Sequence, residues 1–138
     1  MTFEGKIAIL PCTGVGQVVG TITRQTAYRV CEDERPEHTV LVCLPALVKG
    51  VREDIDMVRE CPVVVVEGCR ECCAAHALAA QEVTPAATVS VPDVMKGKGF
   101  KVKREARRRL TAPETAVVEL TVEAVVTEVD RLRREARR

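Results

Sequence analysis

The chain has 138 residues, enough for one domain that buries roughly two-thirds of its unfolded surface. Its only aromatic residues are Phe3, Tyr28 and Phe100, so the core must be Val, Leu, Ile and Ala, which excludes an aromatic-rich sandwich and favours a helix-covered sheet. No apolar run approaches the ~18 residues of a membrane span, and the formal net charge of +1 divides into −5 over residues 1–95 and +6 over residues 96–138.

Met1 to Lys6 carries no basic region, apolar stretch or small-residue cleavage site, so a cytoplasmic protein is expected. Lys6-Ile7-Ala8-Ile9-Leu10 reads as a first strand, ended by Pro11-Cys12-Thr13-Gly14. From Gly14 to about Asp33, Val18, Val19, Ile22, Ala27 and Val30 keep helical spacing, and a charged loop over 32–37 with Pro36 follows. Thr39 to Leu44 is a second strand. Val48, Val51, Ile55 and Val58 then fall three and four apart, the inner face of one helix with Arg52, Glu53, Asp54 and Asp56 outside.

Val63-Val64-Val65-Val66 is a continuous β-branched run, the pattern of a strand buried on both faces. Gly68 breaks it, and Cys69, Cys72 and Cys73 open an alanine-rich helix expected over 70–82. Ala87 to Val91 is a fourth strand. Strand and helix alternate four times, which predicts a three-layer, doubly wound α/β fold with a mostly parallel sheet of about four strands. After Pro92-Asp93 the chain is glycine-broken and basic over 96–103, with a short basic helix expected from Arg104 to Leu110. Pro113 suits the first turn of a last helix, capped by Thr111 or Ala112 and ending in Arg133, Arg134, Arg137 and Arg138. Its length allows packing on the sheet, a homodimer contact or a frayed tail. Residues 1–103 are expected to form the α/β domain, and 104–138 a basic helical extension on or beside it.

Seven cysteines, an odd number, in a reducing compartment point to metal or redox chemistry rather than a disulfide framework. Topology sorts them. Cys12, Cys43 and Cys69 follow the C-terminal ends of the first three strands, and such tips share one sheet edge with neighbours ~4.8 Å apart. Cys73 lies one helical turn beyond Cys69 and can face the same point. Cys61 precedes the third strand, ~26 Å from Cys69, and Cys31 also falls toward the opposite edge. Both read as core thiols, and His38 sits at that edge too. Four thiolates suit Zn²⁺ or an iron–sulfur cluster alike. Cys72 stands beside the set as a free thiol, an exchangeable ligand or core, and His76 as a neighbour or an ordinary helix residue. A helix N-terminus at this place would lower thiol pKa.

Gly14-Val15-Gly16-Gln17-Val18-Val19-Gly20 resembles a dinucleotide-binding turn, but its spacing is Gly-x-Gly-x-x-x-Gly and no acid ends the second strand. Tight turning beside the thiols is the better reading of these glycines.

Pro11-Cys12-Thr13-Gly14-Val15-Gly16 with Gly20-Thr21-Ile22-Thr23-Arg24-Gln25, Val42-Cys43-Leu44-Pro45-Ala46-Leu47, and Glu67-Gly68-Cys69 with Cys73 together resemble the DGC domain family, over about residues 6–103. The resemblance implies zinc held by Cys12, Cys43, Cys69 and Cys73, the four that strand geometry selects, and implies no reaction. Glu67 replaces the family's Asp.

The expected function is a small zinc-binding α/β protein whose cysteines hold the metal at the C-terminal sheet edge. The alternatives are an iron–sulfur protein, or a metal- or thiol-dependent enzyme with an open coordination position and Glu67 or Cys72 handling protons. Thr13, the glycine turn, Asp93, Lys96 and Lys98 would line a pocket for a small anionic or thiol ligand. Nucleic-acid binding through 96–109 is disfavoured, because aromatic stacking platforms are absent from the sequence.

Overall fold

The computed structural model describes residues 3–102 and 109–138. Four parallel strands, β1 (Ile7–Pro11), β2 (Thr39–Leu41), β3 (Val63–Glu67) and β4 (Ala87–Ser90), form one sheet in the order β2-β1-β3-β4. Register aligns Ile9 with Leu41 on one side of β1, and Pro11 with Val66 on the other. Helix α1 (Val18–Tyr28) leads through a π-helical turn, Arg29–Glu34, into β2. Helices α2 (Leu44–Lys49) and α3 (Arg52–Glu60) join β2 to β3, α4 (Cys73–Ala79) joins β3 to β4, and α5 (Val91–Met95) and α6 (Ala112–Ala136) follow. The chain leaves β1 for one side of the sheet and returns on the other as β3. The crevice between the β1 and β3 tips is therefore the switch point where open α/β sheets bind ligands.

The two faces of the sheet carry separate cores, as period-two alternation requires. Ile7, Ile9, Val64 and Val66 pack with Ile22 of α1 and with Val117, Val122, Val125 and Val129 of α6. Ala8, Leu10, Cys12, Val63 and Val65 pack with Leu47 of α2, Met57 and Val58 of α3, and Ala74 and Leu78 of α4. α6 thus lies on the α1 face of the sheet. It starts in a capping box, with the Thr111 N–H donating to Glu114 Oε1 at 2.8 Å. Near its other end Asp130 accepts two bonds from the Arg35 guanidinium, each 2.9 Å.

Three expectations are corrected. The apolar series Val48, Val51, Ile55 and Val58 is not one helical face. Gly50 adopts φ +95° and ends α2, and Val48 and Val51 are 70% and 42% exposed. Because α3 starts afresh, Asp54 is buried rather than outward-facing. The helix expected over 70–82 is confined to Cys73–Ala79, since Cys72 takes a left-handed conformation, φ 56°, that no helix can continue through. The basic helix expected from Arg104 falls mostly outside the described residues; Arg109 and Leu110 are not helical. Among the described residues no helix is long and apolar enough to cross a membrane.

Cys31 and Cys61 lie away from the C-terminal edge: Cys31 packs in the α1-face core and Cys61 is buried with its Sγ 3.5 Å from the Phe3 carbonyl. Burial pushes each thiol up from 9.0 to about 11. Between pH 9 and 11 the unfolded chain has lost protons that the folded chain keeps, so stability falls as pH rises through that window. The expected slope is at most ~1.4 kcal/mol per pH unit per thiol. Urea unfolding at intervals across the window should show this loss, and the double variant Cys31→Ala/Cys61→Ala should flatten it. An equal slope in both proteins would contradict the assignment.

Candidate metal centre

Alternation along β1 and β3 decides which side each functional group takes. Cys12 follows Leu10 onto the α4 face, and Glu67 follows Val65 onto the same face. Glu67 is 1% exposed, and its two carboxyl oxygens accept from the first amides of α4, Ala74 N–H at 3.2 Å and Ala75 N–H at 2.8 Å. Strand β3 thereby holds the helix that carries Cys73. The Cys73 thiol lies near enough to act electrostatically on that of Cys12, so the groups carried by β1 and α4 approach each other across the switch point.

Each cysteine-bearing segment is tied down by a polar side chain from another element. The Thr23 hydroxyl of α1 lies against the carbonyl oxygens of Cys12 and Gly20. Arg24 donates to the Thr13 carbonyl at 3.3 Å. Buried Asp54 of α3 accepts from the Cys43 N–H at 2.8 Å, fixing the start of α2. Gly20 permits the close packing of α1 on the loop, because a Cβ there would come within 2.7 Å of the Gly14 nitrogen and nearer still to its carbonyl. Gly20, Thr23 and Arg24 belong to the run quoted for the family resemblance, but only the loop contacts reveal what they do. The three-residue step from Gly20 to Thr23, one helical turn, is the signal that places them on one face.

Cys12 and Cys72 are raised, not depressed as a helix N-terminus alone would make them. Burial pushes Cys12 up, opposed by the Gly14 N–H donating to its sulfur; negative charge at Cys73 and Glu67 adds to the rise. Cys72 is pushed up as well, by desolvation first and then by Glu67, Cys69, Cys73 and Glu71. Burial is the larger cause, and Glu67 adds to it: it takes the Ala74 and Ala75 amides that would have served a thiolate, and brings its own charge.

Of the four expected ligands, Cys12 and Cys73 are brought together, and Cys69 and Cys73 both lie within electrostatic reach of Cys72. Cys43 stands apart on the wall of a cavity on the α1 side of the edge, with Thr13, Arg24 and Tyr28. Among the described residues no three Cys, His, Asp or Glu side chains are gathered as a metal-holding group. The donor chemistry still fits zinc. Thiolates are the donors zinc takes in closed tetrahedral sites, and Cys12 and Cys73 already approach each other from two elements. His76 is exposed on α4. Lys96 and Lys98 are exposed after α5, and no hydrogen bond or ion pair among the described residues joins them to the thiols.

The sequence model of the DGC domain matches residues 8–129, which include Cys12, Cys43, Cys69 and Cys73. No match was found among curated proteins or among solved structures.

Proposed function

The chain belongs to the DGC domain family, and on that footing we propose that it is a small zinc-binding protein, the metal held by Cys12, Cys43, Cys69 and Cys73. The observation that carries the proposal is the anchoring of the cysteine segments. Thr23 holds the Cys12 carbonyl, Asp54 the Cys43 amide, and Glu67 the helix start beside Cys73. Buried polar groups spent on thiol-bearing backbones are what a preorganised ligand set needs and what incidental core cysteines do not. Zinc in such a site neutralises thiolate charge and closes a tetrahedral centre, so loading releases thiol protons. The raised Cys12 thiol makes that release costly at low pH.

In this account Cys12 and Cys73 are the standing half of the centre, and Cys43 and Cys69 turn toward them on loading. Glu67 is a positioning residue rather than a proton-transfer group, because both its oxygens are occupied by backbone amides. The test is the zinc content of purified protein and of each single Cys→Ser variant. One zinc per chain is expected, with retention against a chelator weakened at least tenfold in each of the four ligand variants and unchanged in Cys31→Ser and Cys61→Ser. Wild-type retention in Cys12→Ser or Cys73→Ser would overturn the ligand set. A brown protein containing iron would replace zinc with an iron–sulfur cluster.

A further inference from the structure

The cavity on the α1 side of the sheet edge holds about 300 Å³, room for roughly ten ligand atoms at the ~30 Å³ that a water occupies. Its wall is mostly apolar, with Leu41 and Leu44 among the lining residues, and its polar groups are Thr13, Arg24, Tyr28 and Cys43. Arg24 is its single cation. Arg24 is half-buried, and the one hydrogen-bond partner of its guanidinium among the described residues is the Thr13 carbonyl at 3.3 Å. The chain's other half-buried arginines with described partners, Arg29, Arg35 and Arg131, all pair with carboxylates. Arg24 has none within 4 Å among the described residues. A half-buried arginine that keeps most of its donors unspent at a largely apolar recess is built to receive an anion.

The chemistry narrows the anion. One guanidinium with no second cation matches a single planar carboxylate in bidentate contact better than a phosphate dianion, which collects several positive groups. The apolar wall calls for a short hydrocarbon body behind that head. We propose that this cavity binds a short-chain organic carboxylate, its head on Arg24 and its body against Leu41 and Leu44, with Cys43 at its side. The inference deepens the zinc reading by giving the centre a ligand class, and it rests on that reading only for the role of Cys43. The site lies beside the switch-point crevice, where ligands of open parallel sheets bind.

Calorimetric titration of the full chain with butanoate and with butanamide, its neutral isostere, tests the proposal. Butanoate should bind at least tenfold more tightly than butanamide, the scale of a charge-assisted hydrogen-bond pair. Arg24→Gln should reduce that preference to within about twofold, and Arg24→Lys should keep part of it. In wild-type protein, saturating butanoate should raise the thermal midpoint, and the same concentration of butanamide should not. That arm stands even if an Arg24 variant fails to fold. Equal affinities for the two probes, or full preference in a folded Arg24→Gln, would overturn the assignment. Zinc analysis of the same samples separates the two readings. Preference without bound zinc would retire the metal centre and keep the carboxylate site, and zinc without preference would do the reverse.

Discussion

Gly20→Ala is expected to destabilise the protein by about 3 kcal/mol, at the upper end for overpacking in a well-packed interior. The sign is what makes the result informative. Gly20 is in the first turn of α1, and replacing a helical glycine by alanine ordinarily favours the folded state by up to ~1 kcal/mol. Here the added Cβ would meet the Gly14 backbone, which cannot swing aside as a flexible side chain would. Either α1 lifts from the loop or the loop carrying Cys12 shifts. In both cases Thr23 loses its place against the Cys12 carbonyl, and the Gly14 N–H its place at the Cys12 sulfur. Gly16→Ala is the matched control, because a Cβ there meets nothing within 4 Å; its effect should stay within ~0.5 kcal/mol. Urea unfolding of the two variants reads both. A Gly20→Ala protein as stable as the parent would mean that α1 does not brace the Cys12 loop.

Glu67 is the second place where one atom group decides a large effect. Glu67→Ala should cost about 3 kcal/mol or more, because two helix-start amides lose their acceptor inside the protein at ~1–3 kcal/mol each. Glu67→Gln keeps one carbonyl acceptor and turns an N–H₂ toward backbone donors, so roughly half of that loss is expected. Glu67→Asp introduces the residue of the family's motif. It is shorter by one C–C bond, ~1.5 Å, and can cap α4 only if the helix start moves toward β3. That variant should fold, with a smaller loss of stability than Glu67→Ala. Since α4 carries Cys73, zinc retention should fall in the same order as stability across the three variants. Unaltered stability in Glu67→Ala would show that the carboxyl does not hold the helix.

The fold was legible because each strand is a run of β-branched or aliphatic residues bounded by Pro or Gly, and because the helices between them keep their own period. The sheet edge was legible for the same reason. Cys12, Cys43 and Cys69 follow strand ends, and parallel strands align those ends whatever their order. What stayed hidden depends on backbone conformations and contacts that spacing does not encode. Gly50 at φ +95° splits a sequence whose valines imitate one continuous helical face. The split then buries Asp54 against the Cys43 amide, although a charged residue in that position reads as solvent-facing. Cys72 delays the start of α4 through a left-handed turn at a residue type that rarely adopts one. Spacing also does not encode the burial that raises Cys12 and Cys72, nor that the Glu67 carboxylate fills the helix N-terminus beside them. Gly20, Thr23 and Arg24 are visible as a motif, but their work is done against the backbone of the Cys12–Gly14 loop, at contacts that only the folded chain makes.

Zinc-edge X-ray absorption on protein purified without added chelator examines the metal centre itself. The account predicts a shell of four sulfurs at ~2.3 Å, the set of Cys12, Cys43, Cys69 and Cys73, with one sulfur lost from the shell in Cys43→Ser protein reloaded with zinc. A shell dominated by nitrogen or oxygen at ~2.0 Å, or protein that retains no zinc, would contradict it.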